Sequence, residues 1–282
     1  MDSSRWNDFE FRDDDIVIAT WAKTGTTWTQ QIVSQLIFPG DETVFGQDIS
    51  PWIDFQITPE ALQQAEKQTH RRFLKTHLPL DTLVFSPKAK YLYVGRDARD
   101  VVWSFHHHLG NFTQEFGGRI AEVGRRLGVA PPPKLPEDIR DYYRLWLETD
   151  PLSNNSYWAN VQGWWDARHL PNVLLLHYAR LKADLPGEVR RIAKFLEISI
   201  DEAKFPLMLH NCGIEHMKEV SRKSELLQKA FVGGGPTFIN KGTNGRWREL
   251  LSPDEIARCD EIAAANLTPD CAHWLRTGGT TG

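Results

Sequence analysis

Three apolar runs along the chain each break into polar residues and then resume at helical spacing. Ile16-Val17-Ile18-Ala19-Thr20-Trp21 is uninterrupted and leads straight into Lys23-Thr24-Gly25-Thr26-Thr27. Tyr91-Leu92-Tyr93-Val94-Gly95 leads into Arg96-Asp97, after which Val101, Val102, Trp103 and Phe105 recur at intervals compatible with a helix. Val173-Leu174-Leu175-Leu176-His177-Tyr178 follows a turn at Pro171-Asn172, and Val189, Ile192, Ala193 and Leu196 then mark an apolar stripe. Runs without alternation suit strands covered on both faces, and a helix pattern after each strand suits parallel crossovers. The pattern predicts an α/β fold: one domain over residues 1–282, with a mainly parallel central sheet flanked by helices.

Later segments fit this layout. Trp146, Trp158, Trp164 and Trp165 sit among apolar residues in the middle of the chain and predict a helical layer of bulky rings, most of them in the core and a minority facing a pocket. Pro131-Pro132-Pro133 marks a loop without a compositional break that would compel a domain boundary. Ser252-Pro253-Asp254-Glu255 reads as a helix start, with an N-cap, a proline at the first position and acidic residues in the first turn. Before it, Phe231-Val232-Gly233-Gly234-Gly235-Pro236 reads as a flexible hinge or turn, although an ordinary surface turn has the same composition.

Composition narrows the function classes. The 282 residues are 41% apolar, and 33 basic against 37 acidic side chains leave a net charge of −4, which gives no reason to expect nucleic-acid binding. A local basic pocket for an anionic small molecule is still compatible with that balance. Three cysteines, Cys212, Cys259 and Cys271, supply neither a disulfide framework nor a zinc-ligand spacing, which suits a reducing cytoplasm. The N-terminal segment lacks the pattern of a secretion signal, and no apolar run reaches about 18 residues, so no stable membrane insertion is expected.

The strongest chemical signal is Lys23-Thr24-Gly25-Thr26-Thr27-Trp28. After a strand, Gly25 permits a tight turn, and the amides of Gly25, Thr26 and Thr27 can converge at a helix N-terminus. Those donors suit phosphate oxygens, two hydroxyls can add to them, and Lys23 can neutralise an incoming anion. An ordinary capped turn is the alternative. The segment is not the Walker sequence, so nucleotide triphosphate hydrolysis is not implied.

Four ordered blocks carry a resemblance to a known family. They are the strand followed by Lys23 to Trp28; Leu74-Lys75-Thr76-His77-Leu78-Pro79; Tyr93 through Arg96-Asp97-Ala98-Arg99-Asp100 to Ser104; and Asn240-Lys241-Gly242-Thr243-Asn244-Gly245-Arg246-Trp247. In this order the chain resembles the soluble sulfotransferases that use 3'-phosphoadenosine-5'-phosphosulfate (PAPS) and release adenosine 3',5'-bisphosphate (PAP). The resemblance implies a P-loop-like sulfotransferase fold, with a mobile cofactor-covering segment near residues 211–247. It also implies that Lys23, Thr24, Gly25, Thr26, Thr27 and Trp28 cradle the 5'-phosphosulfate, with Trp28 against the adenine and Tyr178 near it. Arg96, Ser104, Asn240, Lys241 and Gly242 are expected at the 3'-phosphate.

As the resemblance has it, His77 is the base that takes the acceptor's proton, Lys75 stabilises charge on the transferring group and Lys23 assists the leaving group; no metal is required. The family's arginine before Lys-Gly is Asn240 here, Arg246 replaces a common aspartate, and Cys212 stands where relatives often carry a hydroxyl. A catalytically altered relative that only binds nucleotide is the alternative those departures leave. The family's dimerisation pattern is not evident around residues 225–235, and the sequence sets no oligomeric state. His106-His107-His108 would fan around a helix rather than converge on an ion, and suit a solvated or acceptor-lining role. The implied partner is a small hydroxylated acceptor, aromatic or hydrophobic, with Trp52, Phe55, Phe112 and Trp146 as candidate lining residues.

Overall fold

The computed structural model describes residues 1–129, 134–149 and 156–279. The predicted loop at Pro131-Pro132-Pro133 lies outside the described residues. Among them, four strands form one parallel sheet: β1 (Ile16–Thr20), β2 (Phe73–Thr76), β3 (Lys90–Gly95) and β4 (Val173–His177), in the order β2-β1-β3-β4. Every residue of β1 is buried, as the unbroken apolar run requires for a strand with neighbours on both edges and helices on both faces.

The sequence pattern misplaces two strand ends and omits one strand. Trp21 lies just past β1, and Tyr178 opens the next helix instead of closing β4. β2 went unread as a strand because its four residues, Phe73-Leu74-Lys75-Thr76, include a buried lysine. Pairing with β1 over Ile16↔Phe73 to Ala19↔Thr76 fixes it in the sheet.

Helices cover both faces and enclose two main apolar clusters. One gathers Trp21, Tyr91, Tyr93, Trp146, Tyr157 and Trp164, and the other gathers Ile16, Ile18, Leu92, Val94 and Ile192. Alternate residues of β1 and β3 thus feed opposite faces, the period-2 consequence of a strand. Trp146, Trp158, Trp164 and Trp165 are all buried in the first cluster, where Trp21, Trp146 and Tyr157 meet edge to face. The helix Pro253–Asn266 starts as its sequence predicts, with Ser252 and Glu255 forming a reciprocal capping box. The stretch at residues 231–236 takes the turn of the two readings, at residues 232–233. Gly233 adopts φ +79° and starts the short helix Gly234–Phe238, while a Cβ on Gly235 would stand 2.2 Å from the Ser221 carbonyl oxygen.

Candidate active site

All four strands deliver residues to one cavity at their C-terminal ends. β1 runs into Lys23 and the helix Thr26–Ile37, β2 into His77, β3 into Arg96 and the helix Ala98–Gly110, and β4 into Tyr178. Because the chain leaves β1 for β2 on one side while β3 pairs on the other, the crevice opens where strand order reverses, the usual ligand position in open α/β sheets. The cavity measures about 920 Å³ and is lined by Lys23, Gly25, Thr26, Thr27, Trp28, Lys75, His77, Arg96, Ser104, Tyr178, Asn240, Lys241 and Gly242. Residues up to 219 positions apart are thereby brought together.

One end is built for an anion. Gly25 has φ +129°, and a Cβ there would stand 3.0 Å from the Tyr178 ring. The turn therefore admits only glycine without strain and presents the first amides of Thr26–Ile37 to the cavity. Lys23 takes φ +68°, another left-handed position in the same turn. Thr26 shares a 2.6 Å hydrogen bond with the Thr20 hydroxyl, and Thr27 donates to Gln47 Oε1 at 2.7 Å. Thr24 is placed differently from its neighbours: its hydroxyl turns inward to donate to the Trp21 carbonyl at 2.9 Å, and it does not line the cavity.

Three cations converge there without a salt bridge among the described residues: Lys23, Lys75 and Arg96. Burial, with Arg96 and then Lys75 adding repulsion, pushes Lys23 down to about 7. Burial likewise lowers Lys75 to about 8, against an opposing pull from Asp54, and its ammonium lies 4.4 Å from the centre of the Trp52 ring. Such a cluster favours a bound polyanion, which would raise both lysines and so favour their charged forms. Arg96 stacks 4.1 Å from the Tyr178 ring centre and donates to the carbonyls of Lys23 and Thr243 and to Asn244 Oδ1. The C-terminal loop is further tied by Lys182 Nζ donating to the Gly242 carbonyl and by the Gly245 amide donating to Asp100.

Trp28 and Tyr178 stand 5.3 Å apart at a steep angle, and Trp28 Nε1 donates to the Cys212 carbonyl. Cys212 thus serves through its backbone, so the loss of a side-chain hydroxyl there leaves this contact intact. Asn240, Lys241 and Arg246 all border the cavity, the last two exposed.

His77 follows β2 directly. Its Nδ1 lies 2.8 Å from the Thr20 carbonyl, which can only accept, so the ring proton sits on Nδ1 and the lone pair on Nε2. Thr20 Oγ1 lies 3.0 Å from the same nitrogen, and Trp52 meets the ring edge to face. Burial, then the charge of Lys75, holds His77 down at about 3, so the ring is neutral at physiological pH. Parallel pairing of β1 with β2 puts Thr20 beside this ring, a contact across 57 residues that no local pattern shows.

The other end of the cavity is apolar. Trp52, Phe55 and Phe112 line the cavity, joined by Trp103, Phe105, Met217, Phe231 and Phe238, which sequence reasoning missed. Trp146 does not; it is 1% exposed and packs in the core. His106, His107 and His108 go to separate partners: the Pro136 carbonyl, the Thr237 carbonyl and Lys23. Among the described residues no group of three His, Cys, Asp or Glu side chains could hold a metal ion, and no helix is long and apolar enough to cross a membrane.

The sequence profile of the sulfotransferase domain matches residues 13–269. A glycolipid sulfotransferase of Mycobacterium tuberculosis is 33% identical over an alignment covering 98% of this chain and 92% of the relative. The chain belongs to the sulfotransferase family. Luciferin sulfotransferase of Photinus pyralis is 28% identical over 92% of this chain and 73% of its own. This sulfotransferase shares its fold with a mouse sulfotransferase, SULT7A1, solved in complex with PAP, at a TM-score of 0.72 and 20% identity over 97% of this chain and 91% of that one. Retinol dehydratase, solved with androsterone and PAP, superposes at a TM-score of 0.69 and 23% identity over 93% and 83% of the two chains. The reaction of the sulfotransferase is sulfuryl transfer from PAPS to the hydroxyl of a small acceptor.

Proposed function

We propose that the cation-rich end of the cavity holds PAPS and that its apolar end holds an aromatic or hydrophobic alcohol, with His77 between them as the base. PAPS supplies the sulfuryl group and a stable leaving group. The single observation that carries this reading is the convergence of Lys23, Lys75, Arg96 and the Thr26–Ile37 N-terminus on one cavity that also contains a neutral His77. Gly25, Thr26 and Thr27 bind the 5' end through backbone amides. Arg96, just ahead of the helix Ala98–Gly110, and Ser104 within that helix take the 3'-phosphate together with Lys241 and Gly242, and Arg246 contributes charge where Asn240 cannot. Trp28 and Tyr178 border the adenine.

His77 Nε2 accepts the proton of the attacking hydroxyl while its Nδ1–H stays on the Thr20 carbonyl, which keeps the lone pair aimed as the proton moves. Once protonated, the ring sits beside the negative charge of the reacting group, which offsets its low intrinsic basicity. Lys75 steadies charge on the transferring oxygens, and Lys23 lies where it can stabilise the departing phosphate oxygen. Arg96 donates to Asn244 Oδ1, which ties the cofactor-covering segment near residues 211–247 to the phosphate-binding arginine.

The test is His77→Ala. Turnover should fall by about 10²- to 10⁴-fold, the usual worth of general-base catalysis, while PAP affinity stays within about threefold. Full turnover in the variant would remove His77 from the reaction.

A further inference from the structure

Of the three consecutive histidines, two meet backbone carbonyls and the third meets Lys23. His106 Nε2 meets the Pro136 carbonyl and His107 Nε2 the Thr237 carbonyl, both holding neighbouring chain in place. His108 faces the reaction cavity at the border between its cationic and apolar ends. Its Nδ1 lies 3.3 Å from Lys23 Nζ, and its ring is surrounded by Phe105, Phe112, Phe231 and Phe238 at 4.9–6.2 Å between centres.

The Lys23 contact decides the tautomer. With an anion alongside, Lys23 is an ammonium that can only donate, so His108 Nδ1 must accept and the imidazole proton sits on Nε2. Burial, reinforced by Lys23, Lys75, His77 and His107, holds His108 well below its ordinary range, in keeping with a neutral ring. Among the described residues, no protein group pairs with Nε2. His77 has the opposite tautomer, so the cavity presents one imidazole lone pair and one imidazole N–H.

We propose that His108 is a specificity-determining residue whose Nε2–H donates to a second oxygen on the acceptor, next to the hydroxyl that reacts. The preferred acceptor class is then a vicinal dioxygen compound, a catechol or a 1,2-diol. This deepens the sulfuryl-transfer reading and rests on it for the placement of the reacting hydroxyl. Discrimination follows because an acceptor with a single oxygen leaves an N–H without a partner inside a ring of phenylalanines, and that desolvation is not recovered.

Dissociation constants of catechol and phenol, and of cis-1,2-cyclohexanediol and cyclohexanol, would be measured on the PAP-saturated protein by tryptophan fluorescence. Transfer rates from PAPS would be followed in parallel. For the wild type the dioxygen member of each pair should bind about tenfold more tightly, the worth of one well-made neutral hydrogen bond. In His108→Phe that ratio should collapse towards one, and His108→Gln, which keeps a donor, should retain part of it. Any loss caused by disturbing Lys23 applies equally to both members of a pair and cancels in the ratio. An unchanged ratio in His108→Phe, or no preference in the wild type, overturns the inference while leaving sulfuryl transfer intact. Should one variant fail to fold, the other still reads the ratio. Absence of transfer to every acceptor, with the binding ratio preserved, would instead break the placement of the reaction at His77.

Discussion

At the scale of single residues, the site works by placing groups in protonation states they would not hold in water. Lys23 and Lys75 are pushed down to about 7 and about 8, mainly by burial and, for Lys23, by the neighbouring Arg96 and Lys75. A bound polyanion favours their charged forms and raises both. The sign follows: at about pH 7–9 the empty protein is short of protons that the complex holds, so PAP binding takes up protons and weakens as pH rises through 8. Towards about pH 5 both lysines are already charged and this uptake vanishes. Calorimetric titrations at one pH in buffers of different ionisation enthalpy measure the uptake directly; none at pH 8 would mean that Lys23 and Lys75 do not face the anion.

The residue scale is also where the sequence was most and least readable. Lys23, His77 and Arg96 sit within three residues of a strand end, where short motifs identify them. His108, Thr20 and Asp100 belong to the same site, yet their roles come from contacts with Lys23, His77 and Gly245 across 57 to 145 residues. No spacing rule reaches that far. Thr24 shows a second limit, because a residue inside a binding motif can still turn its hydroxyl to the local backbone.

At the scale of elements, the turn between β1 and the helix Thr26–Ile37 has the tightest geometry. Gly25→Ala would force a left-handed conformation on an alanine and drive its Cβ against Tyr178 and Val94. Strain of roughly 1–3 kcal/mol is expected at such a position. It should emerge as PAP affinity reduced by tenfold or more, with Tyr178 displaced, and a variant that binds PAP as the wild type does would show that the cradle is elsewhere. Elements were legible where the pattern was long. β1, β3 and the helix Leu185–Leu196 were read from apolar runs and a stripe, whereas β2 needed its partner strand to be recognised, being four residues long and carrying Lys75. The glycines at residues 233–235 suggested freedom, but Gly235 is there because the Ser221 backbone leaves no room for a side chain.

At the scale of the whole molecule, the parallel sheet is a platform that holds four loops in one register. Its base carries a buried ion pair, in which Arg72 Nη2 donates to Asp15 Oδ2 at 2.5 Å and Nε to Oδ1 at 2.7 Å, next to the starts of β1 and β2. Asp15→Asn leaves the guanidinium uncompensated at 3% exposure. Removing one partner of such a pair costs roughly 3–5 kcal/mol, so the urea midpoint should fall markedly while PAP affinity of the folded fraction is retained. An unchanged midpoint would show that this pair does not fasten the sheet. The fold class was legible because three strand-to-helix transitions repeat along the chain. The acceptor pocket was not, because Trp146 and Phe112 look alike in sequence and only packing sends one to the core and the other to the cavity.

The account stands on a cavity that reads both ends of a bisphosphorylated nucleotide. Titrating PAP and adenosine 5'-monophosphate separately, by calorimetry at the same pH and salt, tests this most directly. The 3'-phosphate contacts assigned to Arg96, Ser104 and Lys241 should make PAP bind at least about a hundredfold more tightly, from charge-assisted bonds of about 1.5–3 kcal/mol each. Equal affinity for the two nucleotides, or no binding of either, would contradict it.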